Sequence, residues 1–85
     1  MYNIILKKPA KKFLRKLDSN SRNMVLKRLK LLRKNPSMGI PLGGKLRGLW
    51  KLRIGKYRAI CELNSGKLVI YVLTMGHRKN VYKQQ

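Results

Sequence analysis

The chain has 85 residues, of which 22 are Lys or Arg and 2 are Asp or Glu, so its formal net charge is +20. A hydrophobic fraction of 44% is ordinary for a folded protein and argues against intrinsic disorder. This charge favours a polyanionic partner, with nucleic acid first, an acidic protein second and an anionic membrane surface third. The length predicts one domain, residues 1–85, with a thin core.

Cysteine, histidine and acidic residues are too few for several kinds of site. Cys61 and His77 are the only residues of their types, which excludes an internal disulfide and a zinc finger. The acids are Asp18 and Glu62, so the carboxylate cluster of a two-metal nuclease is absent. We therefore expect no metal and no cofactor. The apolar N-terminal run is too short for a signal peptide, and no stretch is long enough to span a membrane, so we expect a soluble cytoplasmic protein.

The N-terminal half predicts a strand followed by two helices. Residues 2–6 are apolar and β-branched, and Pro9 suits the first turn of a helix. The apolar residues of that helix have helical spacing, and they are Ala10, Phe13, Leu14 and Leu17. Capping residue types at 18–21 precede a second helix over residues 21–34, with the stripe Val25, Leu29 and Leu32. The short link predicts an antiparallel helical hairpin.

The C-terminal half predicts a three-stranded antiparallel meander after a Pro/Gly-rich connection over residues 35–45. Residues 46–54 and 57–63 are strands joined by Gly55-Lys56, a turn whose first position requires a positive φ. Residues 67–73 are apolar on both faces, so this strand should be central, and the tail should leave it through Gly76. The expected fold is α+β in the order β-α-α-β-β-β. It is an antiparallel sheet of about four strands, in which the N-terminal strand joins the meander and the helical hairpin packs on one face.

Alternation along the predicted hairpin separates cations from apolar side chains. The apolar residues are Trp50, Leu52 and Ile54. Lys51 and Arg53 alternate with them and should lie on the other face of the sheet. The turn register places Arg53 opposite Arg58, although like charges in such a pair destabilise a sheet. We interpret the pair as a site for an anion, with a phosphate of RNA as the hypothesis. Glu62 shares this face and is expected to form a structural ion pair.

The candidate site combines these cations with the C-terminal tail. Its predicted members are Lys51, Arg53, Arg58, Arg78 and Tyr82, with Lys45, Arg47, His77 and Lys79 as further RNA-binding residues. The cations can bind a phosphate and stabilise the charge that develops during phosphoryl transfer, and a tyrosine can stack on an unpaired base. The chemistry compatible with so few acids is metal-free RNA cleavage, in which the substrate's own 2′-hydroxyl attacks the adjacent phosphorus.

The order of elements and three short motifs resemble the RelE toxins of the RelE/ParE toxin–antitoxin superfamily. The motifs are Leu46-Arg47-Gly48, Tyr57-Arg58 and Met75-Gly76-His77-Arg78 followed by Val81-Tyr82. The resemblance covers nearly the whole chain. It implies a ribosome-dependent endoribonuclease (an mRNA interferase) that cuts messenger RNA in the ribosomal A site and so inhibits translation. It also implies contacts with ribosomal RNA and an acidic RelB-like antitoxin as partner.

The same resemblance implies roles for single residues. The positions that match the family's site are Lys51, Arg53, Arg58, Arg78 and Tyr82, the last of which would stack on the substrate base. Relatives often have a lysine, proposed as general base, where this chain has Arg53, and an arginine stays protonated. The base is therefore unassigned: Lys51 is the first candidate, and transition-state electrostatics without a strong base is the second. His77 is a candidate acid beside Arg78.

Two other functions are compatible with the sequence. A ParE-like toxin of the same fold would inhibit DNA gyrase by binding, although such relatives generally lack the basic pair and the terminal Arg and Tyr. A catalytically inactive RNA- or ribosome-binding module would require only the positive charge, since non-specific affinity follows the number of phosphate contacts.

Overall fold

A computed structural model describes residues 1–77, in which two helices cover one face of a five-stranded sheet. The strands are β1 (Asn3–Leu6), β2 (Ile40–Pro41), β3 (Leu49–Ile54), β4 (Tyr57–Asn64) and β5 (Val69–His77). The helices are α1 (Lys8–Lys16) and α2 (Ser19–Lys34). Two 3-10 turns, Pro36–Met38 and Gly44–Leu46, flank β2. The predicted α+β class, with both helices before the meander, is confirmed.

The sheet is mixed, which corrects the predicted antiparallel sheet of about four strands. Its order is β1-β5-β4-β3-β2, with β1 parallel to β5 and the other neighbours antiparallel. Alternation of apolar residues does not encode the direction of a strand relative to its neighbour, so the parallel pair was not predictable from it. The additional strand, β2, lies in the predicted connection, and Pro41 fits there because an edge strand needs fewer N–H donors.

The β3–β4 hairpin forms in the predicted register. Ile54 pairs with Tyr57, and Arg53 pairs with Arg58. Gly55 has a φ of +57°, as the first position of such a turn requires. Strand β5 continues to His77, four residues beyond the predicted end, so Gly76 lies inside the strand opposite Arg58.

Strand β5 contains an irregularity that changes which face its side chains occupy. Ile60 of β4 pairs with Thr74, whereas the next residue, Cys61, pairs with Val72, so Leu73 is an extra residue. Such a bulge shifts the alternation of one strand against its neighbour by one position. Before Leu73 the even-numbered residues of β5 face the core, and after it the odd-numbered residue Met75 does.

The core lies between the helices and the sheet. Its buried members are Ala10, Leu14, Val25, Leu29, Leu32, Leu52, Ile54, Tyr57, Ala59, Cys61, Ile70, Val72 and Met75. Leu52 and Ile54 are each 1% exposed, which confirms the face predicted for the apolar residues of the hairpin. Trp50 is half-buried at the margin, where it contacts Gly39.

The junction between the helices is held by side chains of α2. Asp18 caps α2, which begins at Ser19, two residues before the predicted start, and the Asp18 carboxylate accepts a hydrogen bond from the Ser21 N–H at 3.2 Å. Hydrogen bonds from the side chain and backbone of Ser21 lower the pKa of Asp18. Arg22 donates to the carbonyls of Leu14 at 3.3 Å and of Leu17 at 2.8 Å at the end of α1, where the Leu14 carbonyl also accepts from the Leu17 N–H at 3.2 Å.

We expect Arg22→Ala to lower the free energy of unfolding by about 1–2 kcal/mol, because the carbonyls at the end of α1 lose a charged donor. Urea denaturation measures the change. Removing a cation also relieves repulsion in a chain of this charge, so Lys12→Ala, an exposed site on α1, is the matched control and should stay within about 0.5 kcal/mol. Equal effects of the two substitutions would contradict the junction role of Arg22.

Candidate nucleic-acid interface

The sheet surface opposite the helices carries Lys51, Arg53 and Arg58, and we call it the basic face. On β3 and β4 these residues alternate with core residues, which fixes their direction. Arg53 is exposed, while Lys51 and Arg58 are half-buried. Lys51 pairs across the strands with Ile60, which is fully buried but lies outside the core cluster beneath the helices. The structure thus brings together the three predicted cations of the hairpin.

The Arg53–Arg58 pair concentrates positive charge at the turn end of the hairpin. Directly paired residues have Cβ atoms about 5 Å apart, so the two arginine side chains leave the sheet next to each other on this face. On its other side Arg58 neighbours Gly76 of β5, which has no side chain. The β5 residue paired with Arg58 therefore adds no side chain to the basic face.

Helix α2 adds a further cation to this end of the sheet. Arg28 donates from Nη2 to the carbonyl of Arg53 at 3.5 Å. Met24, one turn earlier on α2, approaches Gly55 of the hairpin turn. Sequence reasoning missed Arg28, because periodicity gives the exposed face of a helix but not the strand end that the face meets.

The other predicted RNA-binding residues are not gathered at this point. Lys45 and Arg47 are exposed and precede β3, so they lie at the Leu49 end, about 13 Å from Arg53 along the strand. Arg78, Lys79 and Tyr82 lie outside the described residues.

His77 lies on the helix side of the sheet rather than on the basic face. It pairs with Tyr57, whose ring centroid is 5.3 Å away, and its ring is 5.8 Å from that of Phe13 on α1. Phe13 and Tyr57 complete the cluster with an edge-to-face contact at 5.5 Å. The structure therefore separates His77 from Arg53 and Arg58, which weakens its candidacy as an acid for a phosphate bound there.

Glu62 and Cys61 are two further ionisable residues of β4. Within residues 1–77, Glu62 makes no ion pair, so the predicted structural ion pair is wrong there; the side chain is exposed on the basic face. Burial raises the pKa of the Cys61 thiol to about 12, so it stays protonated and cannot act as a nucleophile near neutral pH.

No group of three or more His, Cys, Asp or Glu side chains in residues 1–77 could hold a metal ion. Neither described helix has the length and apolar character needed to cross a bilayer.

Comparison with known proteins gives a consistent picture. Residues 4–82 match the family described as ParE toxin of type II toxin-antitoxin system, parDE. The RelBE complex of Mycobacterium tuberculosis is similar at 25% identity and a TM-score of 0.83, covering 91% of this chain and 98% of that one. The RelE–RelB complex of Pyrococcus horikoshii is similar at 25% identity and a TM-score of 0.74, covering 91% of this chain and 94% of that one. The isolated Escherichia coli RelE toxin is similar at 24% identity and a TM-score of 0.76, covering 99% of this chain and 94% of that one. No curated protein sequence matches the chain.

We expect Arg53→Gln to raise the free energy of unfolding in low-salt buffer by about 0.2–1 kcal/mol, because it removes a directly opposed like charge. The same substitution should reduce the stabilisation that inorganic phosphate gives, since an anion bound only by the native state raises its stability. Thermal unfolding with and without phosphate measures both effects. Lys67→Gln removes an exposed charge from the β4–β5 turn, so it should raise stability less than Arg53→Gln and keep the wild-type response to phosphate. Equal phosphate responses in all three proteins would contradict an anion site at Arg53.

Proposed function

The chain belongs to the ParE toxin family of type II toxin–antitoxin systems, and on that premise we propose that it is a ribosome-dependent endoribonuclease that cuts messenger RNA in the A site. The observation that carries the proposal is the Arg53–Arg58 pair on the basic face. Two arginines paired across the hairpin suit an enzyme that must stabilise a phosphate while its negative charge grows in the transition state.

The proposed reaction is attack of the substrate 2′-hydroxyl on the adjacent phosphorus, with release of the 5′-oxygen. The 2′-hydroxyl gives up its proton as the new P–O bond forms, and the leaving 5′-oxygen takes a proton as the old bond breaks. Arg53 and Arg58 would bind the non-bridging oxygens, whose negative charge grows in the transition state. Lys51, two residues from Arg53 on the same face, is the first candidate for the base.

The tail residues enter the proposal through family resemblance. Arg78 would add to the charge stabilisation, Lys79 would contact the RNA backbone, and Tyr82 would stack on a base of the codon. Lys45 and Arg47, at the far end of β3, suit contacts with RNA away from the cleaved bond. Since His77 faces the helix side, we favour electrostatic assistance by Arg78 over protonation of the 5′-oxygen by His77.

An acidic RelB-like antitoxin is the proposed inhibitory partner. Structures of similar toxins contain RelB antitoxins bound to RelE. A groove between β1 and α2 fits an acidic amphipathic segment, because its lining combines apolar residues with cations. Its lining includes Ile4, Leu6, Leu26, Leu29, Lys27, Lys30 and Arg33.

The second candidate function is gyrase inhibition of the ParE type, which the family match favours by its description. A gyrase inhibitor would cause broken DNA to accumulate in intoxicated cells, whereas an endoribonuclease would cause cleaved messenger RNA to accumulate. A catalytically inactive RNA-binding module would give neither product.

We expect primer extension on a translated messenger RNA to show cuts that require both ribosomes and this protein. Arg58→Ala should lower the cleavage rate by about 10²–10³-fold, the typical loss when one donor to a developing negative charge is removed. Lys67→Ala, which removes an exposed cation from the β4–β5 turn, should cleave at the wild-type rate.

The controls separate the candidate functions. Cuts on naked RNA at the same rate would contradict ribosome dependence. Absence of cuts from folded, antitoxin-free protein would reject the nuclease proposal, and DNA breaks in the same cells would then favour the ParE-type function.

A further inference from the structure

The basic face carries a second group of side chains, Tyr71, Lys7 and Glu62, that the cleavage chemistry does not use. We propose that this group is a nucleotide subsite for single-stranded RNA that selects a base presenting an exocyclic amine, cytosine before uracil. The inference extends the proposed function by naming a feature of the RNA that the toxin reads. It concerns binding, so it can be tested without cleavage.

The bulge at Leu73 is what turns Tyr71 onto the basic face. Simple alternation along β5 would give Tyr71 the same direction as Met75, which is a core residue. Because the register shifts between them, Tyr71 instead pairs directly with Glu62 of β4 and with Ile5 of β1. Glu62 is four residues from Arg58 on β4, so both side chains lie on the basic face. Tyr71 is half-buried and outside the core cluster. An aromatic ring therefore lies on the same surface as the cation pair.

Lys7 supplies a cation beside this ring. Its Nζ lies 5.0 Å from the Tyr71 ring centroid, and its backbone N–H donates to the Val72 carbonyl at 2.9 Å. The backbone hydrogen bond fixes where the Lys7 side chain leaves the chain, while the exposed side chain itself can change rotamer. An RNA base can stack on the ring while the ammonium moves to the neighbouring phosphate, which combines the two contacts that single-stranded nucleic acid requires.

Glu62 is the residue that makes the subsite selective. It is exposed, it has no ion pair within residues 1–77, and it pairs directly with Tyr71. A carboxylate on a face that attracts phosphate lowers the affinity for RNA in general. It accepts a hydrogen bond from the N4 amine of cytosine, whereas the O4 oxygen of uracil is repelled, so the unfavourable charge acts as discrimination.

The spacing fits one RNA strand that occupies both sites. Arg58 and Glu62 are four residues apart on β4, which is about 13 Å, and both lie on the basic face. Lys51 pairs with Ile60, midway between them, and offers a cation along the path. A strand whose phosphate lies between Arg53 and Arg58 can therefore place a nearby nucleotide at Tyr71.

Binding of short labelled RNA to the full-length protein tests the inference. The probes are 2′-O-methyl pentanucleotides of cytosine and of uracil, which lack the attacking hydroxyl and cannot be cut. By fluorescence anisotropy, the wild type should bind the cytosine probe about tenfold more tightly. Glu62→Gln should bind both probes more tightly and with equal affinity. Tyr71→Leu should weaken both by about tenfold, while Tyr71→Phe, which keeps the ring, should stay near wild type.

Matched controls separate the subsite from general charge and from folding. Lys7→Gln should weaken binding of both probes more than Lys8→Gln, which removes an adjacent exposed cation without a ring partner. Thermal unfolding shows whether Tyr71→Leu is folded, and a failure to fold transfers the test to Glu62→Gln and Lys7→Gln. Equal binding of the two probes by the wild type, or an undiminished preference in Glu62→Gln, would overturn the inference.

The outcome is independent of the nuclease proposal. A cytosine preference that depends on Glu62, in a protein that cuts nothing on ribosomes, would keep the subsite and reject the nuclease. Cleavage on ribosomes by a protein without that preference would keep the nuclease and reject the subsite.

Discussion

The register of the β3–β4 hairpin is the constraint on which the candidate site depends, because it pairs Arg53 with Arg58. Neither residue can move away along its strand, because the Gly55-Lys56 turn fixes the register of β3 against β4. The neighbouring core residues on the two strands, Leu52, Ile54 and Ala59, anchor the hairpin beneath the helices. Hydrophobic burial on one side of the sheet thus holds together charges on the other side that would separate if they were free.

One face of the sheet carries the hydrophobic core, and the other carries the cations of the candidate site. The helix side contains the buried cluster, along with the aromatic contacts of Phe13, Tyr57 and His77. On the basic face, strand pairing sets the positions of Lys51, Arg53 and Arg58. Since strands are stiffer than loops, a site built on paired strands is already ordered before a ligand arrives, which reduces the entropy that binding must overcome.

The sequence was most informative where local chemistry determines geometry. A glycine at the first turn position and strict alternation were sufficient to predict the Arg53–Arg58 register and the buried faces of Leu52 and Ile54. It was least informative where geometry depends on distant parts of the chain. The parallel direction of β1, the position of Arg28 and the face of His77 all depend on tertiary packing. The bulge at Leu73 has no residue signature, and it alone moves Tyr71 to the basic face.

The scarcity of carboxylates has a consequence for the behaviour of the protein in acid. Acid usually unfolds proteins by protonating carboxylates that are stabilised in the native state. In residues 1–77 the group with a lowered pKa is Asp18, which caps the start of α2. Its contribution to the free energy of unfolding is fully present above the ordinary pKa of an aspartate, and it is lost as the pH falls through the lowered pKa of Asp18 in the native state. Acidification therefore acts on this fold at the capped end of α2. A partner that binds the cations through its own carboxylates would weaken its hold as those carboxylates are protonated.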